Sequence, residues 1–201
     1  MLILPFCLTA ILLFNSQFIP DNRILFNGVS LEGWQIVEFD GHGDIYVADS
    51  CIFINRGEEI SGIKWIKEFP KTNYEVTLEA KRVAGSDFFC GMTFPVKESF
   101  LTLVLGGWGG SVTGLSCIEG FDASDNDTYN LMNFEPDKWY SIRLKVTDAK
   151  VEAWVDDENI VDFTIGNSDL SLRWEVESSV PFGFTTYKTT GALKNISLNI
   201  F

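Results

Sequence analysis

Cysteine, histidine and basic side chains are scarce in this chain, and each scarcity removes a class of function. Four cysteines and one histidine stand among 201 residues. No CxxC pair and no Cys/His spacing suited to zinc occurs, so a zinc module is excluded. Once Cys7 is set aside with a leader segment, Cys51, Cys90 and Cys117 remain, an odd and widely spaced set that makes no disulfide framework. Each is read as a small buried hydrophobe. Lys and Arg number 15 against 28 Asp and Glu, a net charge of -13, which argues against nucleic acid and anionic lipid as partners. Capped helical stripes are also missing, and the best stretch, residues 168–174, makes a turn or two at most. No apolar run reaches the roughly 20 residues of a membrane-spanning helix. The run LILPFCLTAILLF at 2–14 has the length of a signal-peptide core. Residues 1–20 are therefore read as a signal peptide and 21–201 as one domain, with no membrane span after leader removal. The expected location is extracytoplasmic: periplasm, cell envelope or secreted.

What the chain does have is alternation. Tyr74, Val76, Leu78 and Ala80 fall on one face of an extended segment, with Glu75, Thr77, Glu79 and Lys81 on the other. Tyr140, Ile142, Leu144 and Val146 repeat the pattern. Tight turns at 148–150 and 156–159 then carry the chain through residues 151–155 and 160–164, a three-stranded meander. Further strands are expected at 34–37, 44–48, 51–55, 62–66, 88–94, 100–105, 112–118, 181–186 and 193–201. Many short strands with regular turns, and aromatics at 14% of the chain, predict an all-β antiparallel sandwich or barrel, read here as two sheets around an aromatic core.

The stretch GGWGGSVTGLSCIEGFDASDND, residues 106–127, departs from this pattern. Its glycines predict a hairpin with Trp108 near the tip, either folded back as a wedge or presented as a platform for a ligand. The acidic loop that follows offers Glu119 and Asp122 as a candidate pair of carboxyls for general acid and base work, with Asp125 beside them. Laminarinase-type Glu-x-Asp-x-x-Glu is absent, because Glu38-Phe39-Asp40 runs into Gly41-His42-Gly43. Calcium is an alternative use of residues 122–127, since hard cations take clustered oxygens. The loop lacks the glycine and closing glutamate of an EF-hand, however, and Asp127 and Asn133 stand in those places. No cofactor and no other metal is implied. His42 is read as a loop residue, and no Ser-His-Asp order or nucleotide-binding glycine loop occurs.

The segment ILFNGVSLEGWQI, residues 24–36, resembles the opening of the 3-keto-disaccharide hydrolase domain family (DUF1080) through Leu25, Phe26, Asn27, Gly28, Leu31, Gly33 and Trp34. The order of the later segments NYEVTLEAKRV, DFFCGMTF, DKWYSIRLKV and PFGFTTYKTTGALKNISL is also similar. The resemblance covers about residues 24–201. It implies a concanavalin A-like jelly roll and an exported domain that cleaves, eliminates or binds a glycoside on its concave face. On that reading Trp108 stacks on a sugar, Glu119 and Asp122 bond hydroxyls or act as acid and base, and Tyr187 and Asp125 line the floor. Where the family carries polar strands, this chain has Phe89, Cys90, Gly91 and Pro95, the apolar run 100–105, and Thr185, Thr186 and Tyr187, the marks of a divergent branch. The alternatives are a non-catalytic carbohydrate-binding module and a structural domain of the cell envelope.

Overall fold

The computed structural model describes residues 21–201, so the expected signal peptide lies outside the described residues. Fifteen strands follow in order: β1 Asp21–Ile24, β2 Trp34–Ile36, β3 Ile45–Ala48, β4 Cys51–Ile54, β5 Ile60–Trp65, β6 Tyr74–Gly85, β7 Cys90–Val96 and β8 Ser99–Gly107. They continue with β9 Val112–Ser116, β10 Asn130–Leu131, β11 Tyr140–Val146, β12 Lys150–Val155, β13 Glu158–Thr164, β14 Gly183–Tyr187 and β15 Thr189–Ile200. The one helical element among the described residues is a 3-10 turn, Trp174–Ser179.

The strands form two antiparallel sheets. One runs β13-β12-β11-β6-β15-β4-β3, with β1 also paired to β15; the other runs β10-β9-β8-β7-β14-β5-β2. This is the sandwich among the architectures that alternation allows, and the jelly roll that the family resemblance implies. Side chains of period two explain the layering: β6 buries Tyr74, Val76, Leu78 and Ala80 and leaves its other face half-buried. These join Leu101, Leu103 and Leu105 of β8, Met92 and Phe94 of β7 and Phe184 of β14 in one core cluster. The meander β11-β12-β13 forms as expected, and β12 and β13 take up a bulge at Ala153 and Trp154.

The opening motif is part of this core. Leu25, Phe26 and Trp34 are buried, and the Trp34 indole packs edge-on to Trp65 at 5.2 Å while its Nε1 donates to the Leu25 carbonyl at 2.8 Å. The Asn27 side chain accepts from the Val29 and Ser30 amides, closing a turn. Gly33 has φ +82°, and a Cβ there would collide with the Trp65 ring. The segment most telling of family thus closes one end of the sandwich.

Three expectations shift. The helical turn forms at 174–179, not 168–174, because segment 169–171 is drawn into backbone pairing with Cys117 and Glu119. The strand expected from Phe88 begins at Cys90. Two short edge strands, β1 and β10, carried too little alternation to be read. Cys51, Cys90 and Cys117 are free and buried, as expected, and burial pushes the Cys90 thiol up to about 12.

Candidate functional site

The outer face of the second sheet forms a floor of small outward positions around Val104. Gly91 and Thr93 of β7, Thr102 of β8, Gly114 and Ser116 of β9 and Thr185 of β14 alternate with the core residues. Their hydroxyls are mostly spent inside the sheet: Thr93 and Thr102 share a 3.1 Å hydrogen bond, and Thr185 donates to the Gly91 carbonyl at 3.3 Å. Above this floor lies a cavity of about 460 Å³, within the size range of small-molecule sites. Four aromatic residues stand in its wall: Phe88, Trp108, Trp174 and Tyr187. Phe88 and Tyr187 stack with centroids 5.9 Å apart and planes 25° apart. Trp174 is 78% exposed and Trp108 44%, a degree of exposure that leaves ring faces open to a ligand.

Trp108 occupies the predicted hairpin, and the surrounding glycines have a specific cause. Arg82 continues the inward face of β6 and is buried, its guanidinium between the rings of Phe89 and Phe134 at 5.3 and 6.0 Å. No carboxylate lies within ion-pair distance of it among the described residues. It donates instead to three carbonyls, Gly110 at 2.8 Å, Gly106 at 3.2 Å and Phe134 at 3.5 Å. Gly106 (φ +74°) and Gly110 (φ +118°) take backbone conformations closed to most residues, and a Cβ on Gly106 would strike the guanidinium. Burial lowers the Arg82 pKa from its ordinary value. From the other side, Asp87 accepts from the amides of Phe88 at 2.8 Å and Gly109 at 3.1 Å, tying Phe88 and the hairpin that carries Trp108 to one carboxylate.

A second arginine organises the far end of the cavity. Arg173 Nη1 pairs with Asp122 Oδ2, while Nη2 and Nε grip the two oxygens of Glu175 at 2.7 and 3.2 Å. The hydrogen bonds to Glu175 are the main cause of a raised Arg173 pKa and, reciprocally, hold the Glu175 carboxyl below its ordinary value. Asp122 Oδ1 accepts from the Ser116 hydroxyl at 2.9 Å and the Cys117 thiol at 3.2 Å. Arg173, Glu175 and Ser116 line the cavity, and Asp122 bonds both Ser116 and Arg173.

Of the residues expected from sequence, Trp108 and Tyr187 are in the cavity wall and Asp122 adjoins it. Glu119 is elsewhere: its carboxylate accepts from the Asp169 amide at 2.9 Å, and its own amide donates to the Asp169 carbonyl. Together with the Cys117–Ser171 pairing, this clamp sets the course of the segment that delivers Arg173. Asp125 takes the Ser124 hydroxyl at 2.6 Å and is exposed outside the cavity lining. The acidic loop is ordered by Asn126, whose Nδ2 lies within 3.1 Å of the carbonyls of Leu115, Phe121 and Asp122 and whose Oδ1 takes the Thr128 amide and hydroxyl. Those carbonyls face the Asn126 amide, and the Asp122 carboxylate faces the Arg173 guanidinium. Among the described residues no group of three His, Cys, Asp or Glu side chains is arranged to hold a metal ion. His42 sits in its turn, with Nδ1 3.0 Å from the Gly43 carbonyl and Nε2 3.3 Å from Glu38, away from the cavity.

Arg173, Trp174 and Glu175 were not foreseen. They form the triplet Arg-Trp-Glu in a segment without periodicity, and a bulky aromatic between opposite charges outside any strand was the available signal. Among the described residues no helix is long and apolar enough to cross a membrane.

The two-sheet jelly roll with a cavity on the outer face of one sheet places the chain in the concanavalin A-like fold class. Solved structures agree on the fold. The laminarinase of Flavobacterium sp. UMI-01 matches with a TM-score of 0.58 at 10% identity over 90% of this chain and 98% of that one. A Parabacteroides distasonis protein described as a glycosyl hydrolase gives 0.56 at 16% identity over 90% and 94%. The carbohydrate-binding module CBM66 of Bacillus subtilis gives 0.54 at 12% identity over 87% and 98%. No curated protein is significantly similar in sequence. The chain belongs to the 3-keto-alpha-glucoside-1,2-lyase-like domain family, whose model matches residues 21–199.

Proposed function

We propose that this chain receives a glycoside in the cavity between Trp108, Trp174 and the Phe88–Tyr187 stack, as an exported domain akin to the 3-keto-glycoside hydrolases and lyases. The observation that carries this reading is the convergence of four aromatic residues and the Arg173-centred carboxylates on a floor of small side chains. Sugar rings present an apolar C–H face and a rim of hydroxyls, so a site for them needs flat rings beside charged hydrogen-bonding groups. Family membership and the mix of hydrolases and a binding module among the structural relatives point to the same ligand class. The apolar run at 2–14 supports export.

Glu175, held ionised in a bidentate pair with Arg173, gives a ligand a fixed charge beside a guanidinium rather than a free base. On this reading Asp122 orients Arg173, and Asp122 and Glu175 bond substrate hydroxyls. The test is calorimetric titration with 3-keto-glucosides and their parent glycosides, alongside product analysis. Trp108→Ala is expected to weaken binding about tenfold, the loss of one stacked ring. Failure of the protein to bind any glycoside overturns the reading. Binding without product removes the catalytic part alone.

A further inference from the structure

We propose that the cavity selects glycosides bearing a protonated amine on the sugar ring and turns away those bearing a carboxylate or sulfate. The inference rests on the glycoside reading above and adds the charge of the ligand. Three carboxylates line the cavity, Glu59, Asp87 and Glu175, against the single guanidinium of Arg173. That guanidinium is already spent: three of its N–H groups serve Glu175 and Asp122, which together outweigh its charge. A ligand anion would therefore meet, within the lining, only a guanidinium whose charge two carboxylates already outweigh.

The two ends of the cavity differ in a way that favours a cation at one of them. Register places Thr93, Thr102 and Ser116 side by side at the Arg173 end. Tyr187 pairs with Ile60, and its amide reaches the Phe88 carbonyl, so Glu59, Tyr187, Phe88 and Asp87 gather at the other end with Trp108. There the exposed Glu59 carboxylate makes no side-chain hydrogen bond or ion pair among the described residues. The surface cation Lys188, whose pKa Tyr187 and Glu59 help to raise, holds its ammonium 4.9 Å from the Tyr187 ring centroid and stands outside the cavity lining. A carboxylate beside three aromatic rings attracts an ammonium group through both Coulomb and cation–π forces, and Lys188 already shows that preference at the rim. An amino sugar supplies that ammonium on a ring whose C–H face can stack on the same aromatics.

The test uses three β-linked disaccharides that differ in charge: cellobiose, fully deacetylated chitobiose with an amine on each ring, and cellobiouronic acid with a carboxylate on one ring. Each is titrated calorimetrically into the protein at a pH where the amine is protonated. The expected result is binding of the amino sugar about tenfold tighter than cellobiose, no detectable heat with the uronate, and a preference that shrinks as salt is raised. Glu59→Gln is expected to narrow the ratio of amino-sugar to cellobiose affinity severalfold, a readout that general loosening of the fold would not move. Equal affinity for the amino and neutral sugars, or uronate binding as tight as cellobiose, overturns the charge selection and leaves the glycoside reading intact. Absence of binding by all three, and by 3-keto-glucosides, overturns both.

Discussion

Two arginines organise the surroundings of the cavity, Arg82 from beneath the hairpin that carries Trp108 and Arg173 from the wall itself, and they do so by opposite physics. Arg82 is buried under the hairpin and bonded only to carbonyls, whereas Arg173 stands at the surface between two carboxylates. The first spends its charge on backbone groups that no strand partner could satisfy and thereby shapes the turn that presents Trp108. The second spends its charge on side chains that can also meet a ligand. A buried cation is costly unless every contact is kept, so Arg82 belongs to stability; an exposed pair contributes little to stability and leaves its members available to the site.

Removing each arginine breaks the comparison most directly. Arg82→Ala leaves the Gly106 and Gly110 carbonyls without their donor and opens a hole between Phe89 and Phe134, for an expected loss of about 3 kcal/mol in urea unfolding. Arg82→Lys should recover only part of it, since an ammonium cannot span three divergent carbonyls from one plane. Arg173→Gln is expected to change unfolding stability by less than about 1 kcal/mol while weakening glycoside binding at least severalfold, the reverse of the Arg82 pattern. A large stability loss at Arg173, or none at Arg82, would erase the distinction.

The smallest effect sharpens the comparison through pH. Glu175 has a carboxyl held below its ordinary value of 4.5 by Arg173. Its pairing therefore adds stability above about pH 4.5, and that contribution falls away as pH drops through the lower folded value. Glycoside affinity followed by titration from neutral pH downward should decline in the same window. In Glu175→Gln the decline should be flatter, and an unchanged profile would remove the Glu175–Arg173 pair from control of the site.

How much of this was legible beforehand depended on whether a residue's role followed from its neighbours in the chain. The strands of the meander and β6 were readable because alternation is a local signature of a half-buried sheet. Trp108 was readable as a hairpin tip because glycine pairs around a bulky ring have few other uses. Glu119 was misjudged for a physical reason: closeness in sequence to Asp122 suggested a pair, yet a left-handed backbone at Glu119 (φ +52°) and the clamp to Asp169 turn the two carboxylates to different tasks. The edge strands β1 and β10 left no periodic trace.

Composition and alternation by themselves determined the two antiparallel layers and the burial of the cysteines, because these depend on counts and on a repeat of two residues. Tertiary structure alone decided which acids meet which arginine. Arg173 reaches Asp122 across 51 positions of sequence, through the pairing of segment 169–171 with 117–119. Contacts of that range are set by how strands cross over one another, and side-chain spacing along the chain carries no record of them.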